Sequence, residues 1–79
     1  MDAAQLKQMV EASIADAQVF VEGGGDRFNI TVIAEQFAGL SPVKRQQAVY
    51  AGINHLIIDG TIHAVNLQTY TPEQWQAAN

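Results

Sequence analysis

The sequence predicts an α+β domain of the order αββ(α)αβα, a three-stranded mixed sheet with helices packed on it, formed by one unit over residues 1–79. Three observations carry this. Apolar residues recur at helical spacing near the start, two later stretches alternate with period two, and Ser41-Pro42 and Thr71-Pro72 repeat a helix-start signal.

Residues 2–16 place Leu6, Met9, Val10 and Ser13/Ile14 three and four apart, with Asp2, Lys7, Gln8, Glu11 and Asp16 mostly elsewhere around the wheel. That is an amphipathic helix, capped by Asp2, with one face for a sheet. The β-formers Val19-Phe20-Val21 follow, then Gly23-Gly24-Gly25-Asp26-Arg27, then a strand from Phe28, which together make a β-hairpin. In the second strand Phe28, Ile30, Val32 and Ala34 alternate with Asn29, Thr31 and Ile33, so the first set is the buried one. The glycine run precedes a strand instead of a helix and lacks the Lys-Ser/Thr of a P-loop, so it reads as a hairpin loop and not a phosphate cradle.

Glu35 to Leu40 predicts a helical turn ended by Gly39. Ser41 then caps a helix from Pro42 to about Asp59, with Val43, Val49/Tyr50, Ile53 and Leu56/Ile57 inward and Gly60 as its stop. A third strand spans Thr61 to Tyr70, with His63, Val65, Leu67 and Thr69 on one face. Strands joined through a helix are normally parallel, so the third strand is expected parallel to the second and the first antiparallel to it. Thr71 caps a last short helix, with Pro72 in its first turn and Trp75 as its anchor.

A chain of 79 residues buries roughly 60% of its unfolded surface, which allows one core and a stability of roughly 4–12 kcal/mol. Lys7, Arg27, Lys44 and Arg45 are the only fixed positive charges against eight carboxylates, a net charge of −4. That supply is thin for neutralising phosphates, so nonspecific nucleic-acid binding is disfavoured. With no cysteine the chain has no disulfide and no thiolate, and cannot hold an iron–sulfur cluster alone in the usual all-cysteine manner. The N-terminus lacks a basic region followed by an apolar run, and no stretch approaches the roughly 18 apolar residues of a membrane span. The expectation is a cytoplasmic protein, monomeric by itself.

No constellation of catalytic residues stands out, so an enzyme is not expected. The carboxylates are scattered and read as solvated surface charge, Ser13 lies within a helix and Ser41 is a cap. His55 and His63 do not have a zinc spacing, and His55 reads as a surface residue. For His63 two readings stand: a half-buried imidazole packed beside Val65 and bonded to backbone, or a metal ligand or switch acting across an interface. Lys44 and Arg45 form a short basic step at a helix start, better read as a solvated face than as a recognition helix. The helix junction is GLSP, without the second glycine of a KH-type GXXG loop.

FAGLSPVKRQQAVY followed by GTIHAVNLQTYTPEQW resembles the BolA family, and within it the IbaG/YrbA branch. The similarity runs from about Val19 to Trp75, and several matches in one order make it specific. It implies a BolA-like fold, similar to class II KH domains. It further implies a non-enzymatic adaptor that binds a monothiol glutaredoxin and shares a [2Fe-2S] cluster with it, in iron–sulfur trafficking or in iron or stress regulation.

In that arrangement His63 corresponds to the family's strand histidine, a cluster ligand, while glutaredoxin and its glutathione supply thiolates; the isolated chain binds no cluster. Many relatives carry a second His or Cys in the loop between the first two strands, where this chain has Arg27, which has no free lone pair. Asp26 offers an oxygen, a hard ligand for a site usually held by sulfur and imidazole. The cluster is then bound by His63 alone from this side, or held more weakly, or the complex is mainly cluster-free. The resemblance also places a partner or nucleic-acid surface on Arg27, Lys44, Arg45, Thr71 and Pro72. A second implied function is a DNA-binding transcriptional regulator that uses the helix around Lys44 and Arg45.

Overall fold

A computed structural model describes residues 1–78. The elements are α1 (Ala3–Ser13), β1 (Gln18–Gly24), β2 (Arg27–Ile33), a 3-10 turn (Glu35–Phe37), α2 (Pro42–Ile58), β3 (Ala64–Tyr70) and α3 (Pro72–Ala78). The sheet has the order β1-β2-β3, antiparallel on one side of β2 and parallel on the other, as the connections predict.

α1 begins in a capping box. The Asp2 carboxylate accepts from the Gln5 N–H at 2.8 Å, and the Gln5 side chain accepts from the Asp2 N–H at 3.1 Å. Leu6, Val10 and Ile14 follow at spacings of four and are fully buried. The helix stops at Ser13, short of the predicted 2–16. The Ser13 hydroxyl donates to the Val10 carbonyl at 3.0 Å, competing with the helical ladder, and Ile14 is already extended. Asp16, at φ 58, then turns the chain into β1.

One face of the sheet carries the core. Val19 lies opposite Val32 and Val21 opposite Ile30 across the hairpin, while Phe28 lies beside Val65 and Ile30 beside Leu67 across the parallel pair. Leu6 and Val10 of α1, Val49 and Ile53 of α2, and Phe37 from the 3-10 turn complete the cluster, and among the described residues no polar one is buried. The opposite face remains open except where Trp75 of α3 stacks on Phe20 at 5.7 Å and meets Tyr70 edge-on at 5.2 Å.

α2 starts where Ser41 caps it, its hydroxyl accepting from the Lys44 N–H at 3.3 Å. Val43 does not face inward as the apolar pattern predicts, but is 61% exposed. It lies six residues before Val49, about 1.7 turns, and so points away from the face defined by Val49, Ile53 and Leu56. Arg45, four before Val49, occupies that face instead, with its guanidinium 5.9 Å from the Phe37 ring centre.

β3 also departs from the prediction, starting at Ala64 and not at Thr61. The preceding residues are folded on themselves. The Asp59 carboxylate accepts from the Thr61 N–H at 2.9 Å, and the Ile62 N–H returns to the Leu56 carbonyl at 3.1 Å. Ile62 is thereby fully buried although strand alternation would put it on the face opposite Val65. His63 turns outward.

α1 and α2 touch at Gly52, where an added Cβ would stand 2.6 Å from the Ser13 Cβ. Gly52→Val is expected to lower stability by about 1–3 kcal/mol through overpacking. Urea unfolding measures it, and Ser13→Gly in the same chain should recover part of the loss. An unchanged midpoint in the single variant would mean that the helices have room to spare.

Candidate functional site at the Asp26 and His63 junction

The hairpin loop after β1 and the turn after α2 meet at one end of the sheet. The register pairs Arg27 with Ala64, and one step further on Asp26 stands beside His63. The Asp26 carbonyl accepts from two successive backbone donors, His63 N–H at 2.8 Å and Ala64 N–H at 3.1 Å. The side chains meet as well, His63 Nδ1 lying 2.8 Å from Asp26 Oδ2. His63 is therefore anchored through its backbone on one side and its ring on the other.

The imidazole is open to solvent, its side chain 64% exposed and that of Asp26 49%. The reading of a half-buried imidazole beside Val65 does not hold, and the strand expected to carry His63 begins one residue later. His63 is not packed against Val65, and it does not lie on the strand but in the turn before it, because Ile62 takes the inward position. Among the described residues Nε2 has no hydrogen-bond partner. Gly60, at φ 83, is next to that nitrogen, and a Cβ there would stand 3.6 Å from it.

Among the described residues no three of His, Cys, Asp or Glu lie close enough to hold a metal ion. The chain contains no cysteine. What this end of the molecule offers is one imidazole nitrogen with a free edge, a carboxylate behind the ring, and the exposed Arg27 next to both. Such a set suits a single ligand in a site completed by another molecule.

The other residues expected at a binding surface lie elsewhere. Lys44 is exposed on the first turn of α2. The Arg45 guanidinium is engaged, donating from Nε to the Leu40 carbonyl at 3.1 Å and from its terminal nitrogen to Gln74 at 2.8 Å. Thr71 caps α3, its hydroxyl accepting from the Gln74 N–H at 3.1 Å, and Pro72 follows in the first turn. β3 separates Thr71 from His63 by about 25 Å at strand rise. The structure thus joins Asp26, Arg27 and His63 at one end, and Arg45, Thr71 and Pro72 around Gln74 at the other.

The family model described as BolA-like protein matches residues 4–74. The chain belongs to the BolA-like family. Among BolA-like relatives, the acid stress protein IbaG of Escherichia coli strain K12 is 35% identical over 75 residues, covering 95% of this chain and 89% of that one. A DNA-binding transcriptional regulator BolA of Vibrio cholerae is 40% identical over 60 residues, covering 72% of this chain and 53% of that one. The solved structure of a BolA homologue from Coxiella burnetii superposes with a TM-score of 0.83 at 28% identity, covering 96% and 97% of the two chains. The three helices and three-stranded mixed sheet are the fold of this family. Among the described residues no helix is long and apolar enough to cross a membrane.

Sequence reasoning missed the Asp26–His63 pair, treating Asp26 as surface charge or a weak ligand. The two are 37 residues apart, and only the parallel register brings them together. The turn that presents His63 depends on Asp59, whose carboxyl is held below its ordinary value by hydrogen bonds from Thr61, with a smaller contribution from His55. A carboxyl lowered on folding adds stability above its unfolded value, about 3.9, and that stability is lost as pH falls through the lower folded value. Asp59→Ala should therefore be less stable than wild type at neutral pH and converge with it in acid, with faster Thr61 amide exchange at neutral pH. A stability gap that persists below both values would contradict this.

Proposed function

We propose that this BolA-like chain is a non-enzymatic adaptor that binds a monothiol glutaredoxin and supplies His63 as its single ligand to a shared [2Fe-2S] cluster. One observation carries the reading: an exposed imidazole with an unengaged nitrogen, on a chain that has no thiol and cannot complete a site alone. Family membership supports a non-enzymatic adaptor or regulator, and the relative named for acid stress supports a part in stress regulation. The partner and its glutathione provide the remaining, thiolate ligands. Arg27 replaces a loop ligand and lies inside the footprint of any partner that reaches His63. In iron–sulfur trafficking or regulation, such an adaptor changes how the partner's cluster is held without doing chemistry of its own.

Cluster reconstituted in a mixture of this chain with a monothiol glutaredoxin should give absorption and circular dichroism spectra distinct from those of the glutaredoxin alone. His63→Ala should return them to the glutaredoxin spectrum. Identical spectra for wild type and variant would sink the shared-cluster reading.

A second reading, binding to DNA, is favoured by the relative named as a transcriptional regulator. Here Lys44 is the exposed cation on the α2 start, because the Arg45 guanidinium is bonded to Leu40 and Gln74. The net charge of −4 opposes this reading. It predicts retardation of promoter DNA at low salt that falls steeply with added salt and is lost in Lys44→Glu. No retardation at low salt would remove it.

A further inference from the structure

The carboxylate behind His63 contributes little to stability. An exposed ion pair is worth about 0–1 kcal/mol, and both partners here are about half exposed or more. Its geometry, in contrast, is specific. An ionised carboxylate only accepts hydrogen bonds, so at 2.8 Å from Nδ1 it requires the proton on that nitrogen. In the neutral ring the lone pair is then on Nε2. This is the nitrogen that has no partner among the described residues, on a side chain that is 64% exposed.

We propose that Asp26 is a positioning residue: its carboxylate fixes the His63 proton on Nδ1 and its ring orientation, so that Nε2 is the one atom this chain presents for ligation. The inference rests on the shared-cluster reading and deepens it. It also gives Asp26 a role other than that of an oxygen ligand, since the carboxylate faces the ring. Metal-ligating histidines commonly donate their second N–H to a carboxylate in this way, which sets the tautomer and raises ligand basicity. The backbone helps independently, because the Asp26 carbonyl holds the His63 and Ala64 amides whatever the side chain at position 26. Orientation and anchoring are thus separable by mutation.

The test uses Asp26→Asn, which keeps shape and backbone while offering an amide that can donate to Nδ1. In the isolated chain, in mildly alkaline buffer where imidazole is neutral, imidazole nitrogen shifts and couplings report the tautomer of His63. Wild type should be predominantly Nδ1–H and Asp26→Asn predominantly Nε2–H, with the backbone amide spectrum otherwise retained. Cluster-dependent association with the glutaredoxin should weaken about 10- to 100-fold in Asp26→Asn. A wild-type ring that is mainly Nε2–H, a tautomer unmoved by the substitution, or a moved tautomer with undiminished association would each overturn the proposal. Failure of the underlying reading looks different: His63→Ala would then leave association and cluster spectra unchanged.

Discussion

The register of β2 is the constraint on which the fold and its functional end both depend. β2 is the central strand, and Phe28, Ile30 and Val32 all point into the core. Burying each is worth about 1.5–3 kcal/mol, so the three contribute about 5–9 kcal/mol. The whole chain has a net stability of only roughly 4–12 kcal/mol. A slip of one residue would turn all three to the open face, so no other register is affordable. Once Phe28 is opposite Val65, Asp26 has to stand beside His63. The side chains that do no chemistry thereby decide where the chemical ones meet.

A weak pair can be precise when its frame is strong. The Asp26 and His63 side chains are solvated and add little energy, but their backbones are tied by two amide hydrogen bonds to one carbonyl. Behind His63, Ile62 is locked in the core and Asp59 closes the turn through Thr61. The ring is the exposed tip of a rigid corner. Ordering such a tip costs little when a partner arrives, because the backbone entropy has already been lost in folding.

Most of the architecture was legible because the elements that build it are periodic. Leu6 and Val10 mark a helix, Phe28, Ile30 and Val32 mark a strand, and the helix between β2 and β3 implies parallel pairing. The errors fall where periodicity meets an end. Val43 is apolar but lies in the first turn of α2, off the face that Arg45 shares with Val49. Thr61 to His63 look like the start of an alternating strand, yet a side-chain bond from Asp59 makes them a turn and reverses the direction of both Ile62 and His63. His63 was legible from the residues as one of two alternatives, a packed imidazole or a ligand across an interface, and the resemblance favoured the second; its exposure was not legible. The Asp26 contact had no local signal, since nothing in a sequence announces which loop a register will bring alongside.

The two ends of the molecule are far apart, and this bears on how its functions can be told apart. α2 runs to Ile58, so about 21 Å of helix lies between Lys44 in its first turn and the turn that presents His63. Changes at residues this far apart with no shared partner usually add. Arg45 cannot serve as a clean probe of the first end, because its guanidinium joins Leu40, Phe37 and Gln74 and its loss would disturb the seating of α3. Lys44 meets Ser41 through its backbone N–H alone and its side chain is exposed, and His63 Nε2 has no hydrogen-bond partner among the described residues. A partner that depends on one and ignores the other is therefore located on the fold by that fact alone. The exposed imidazole of His63 and the exposed Lys44 act as opposite markers on a scaffold that neither of them holds together.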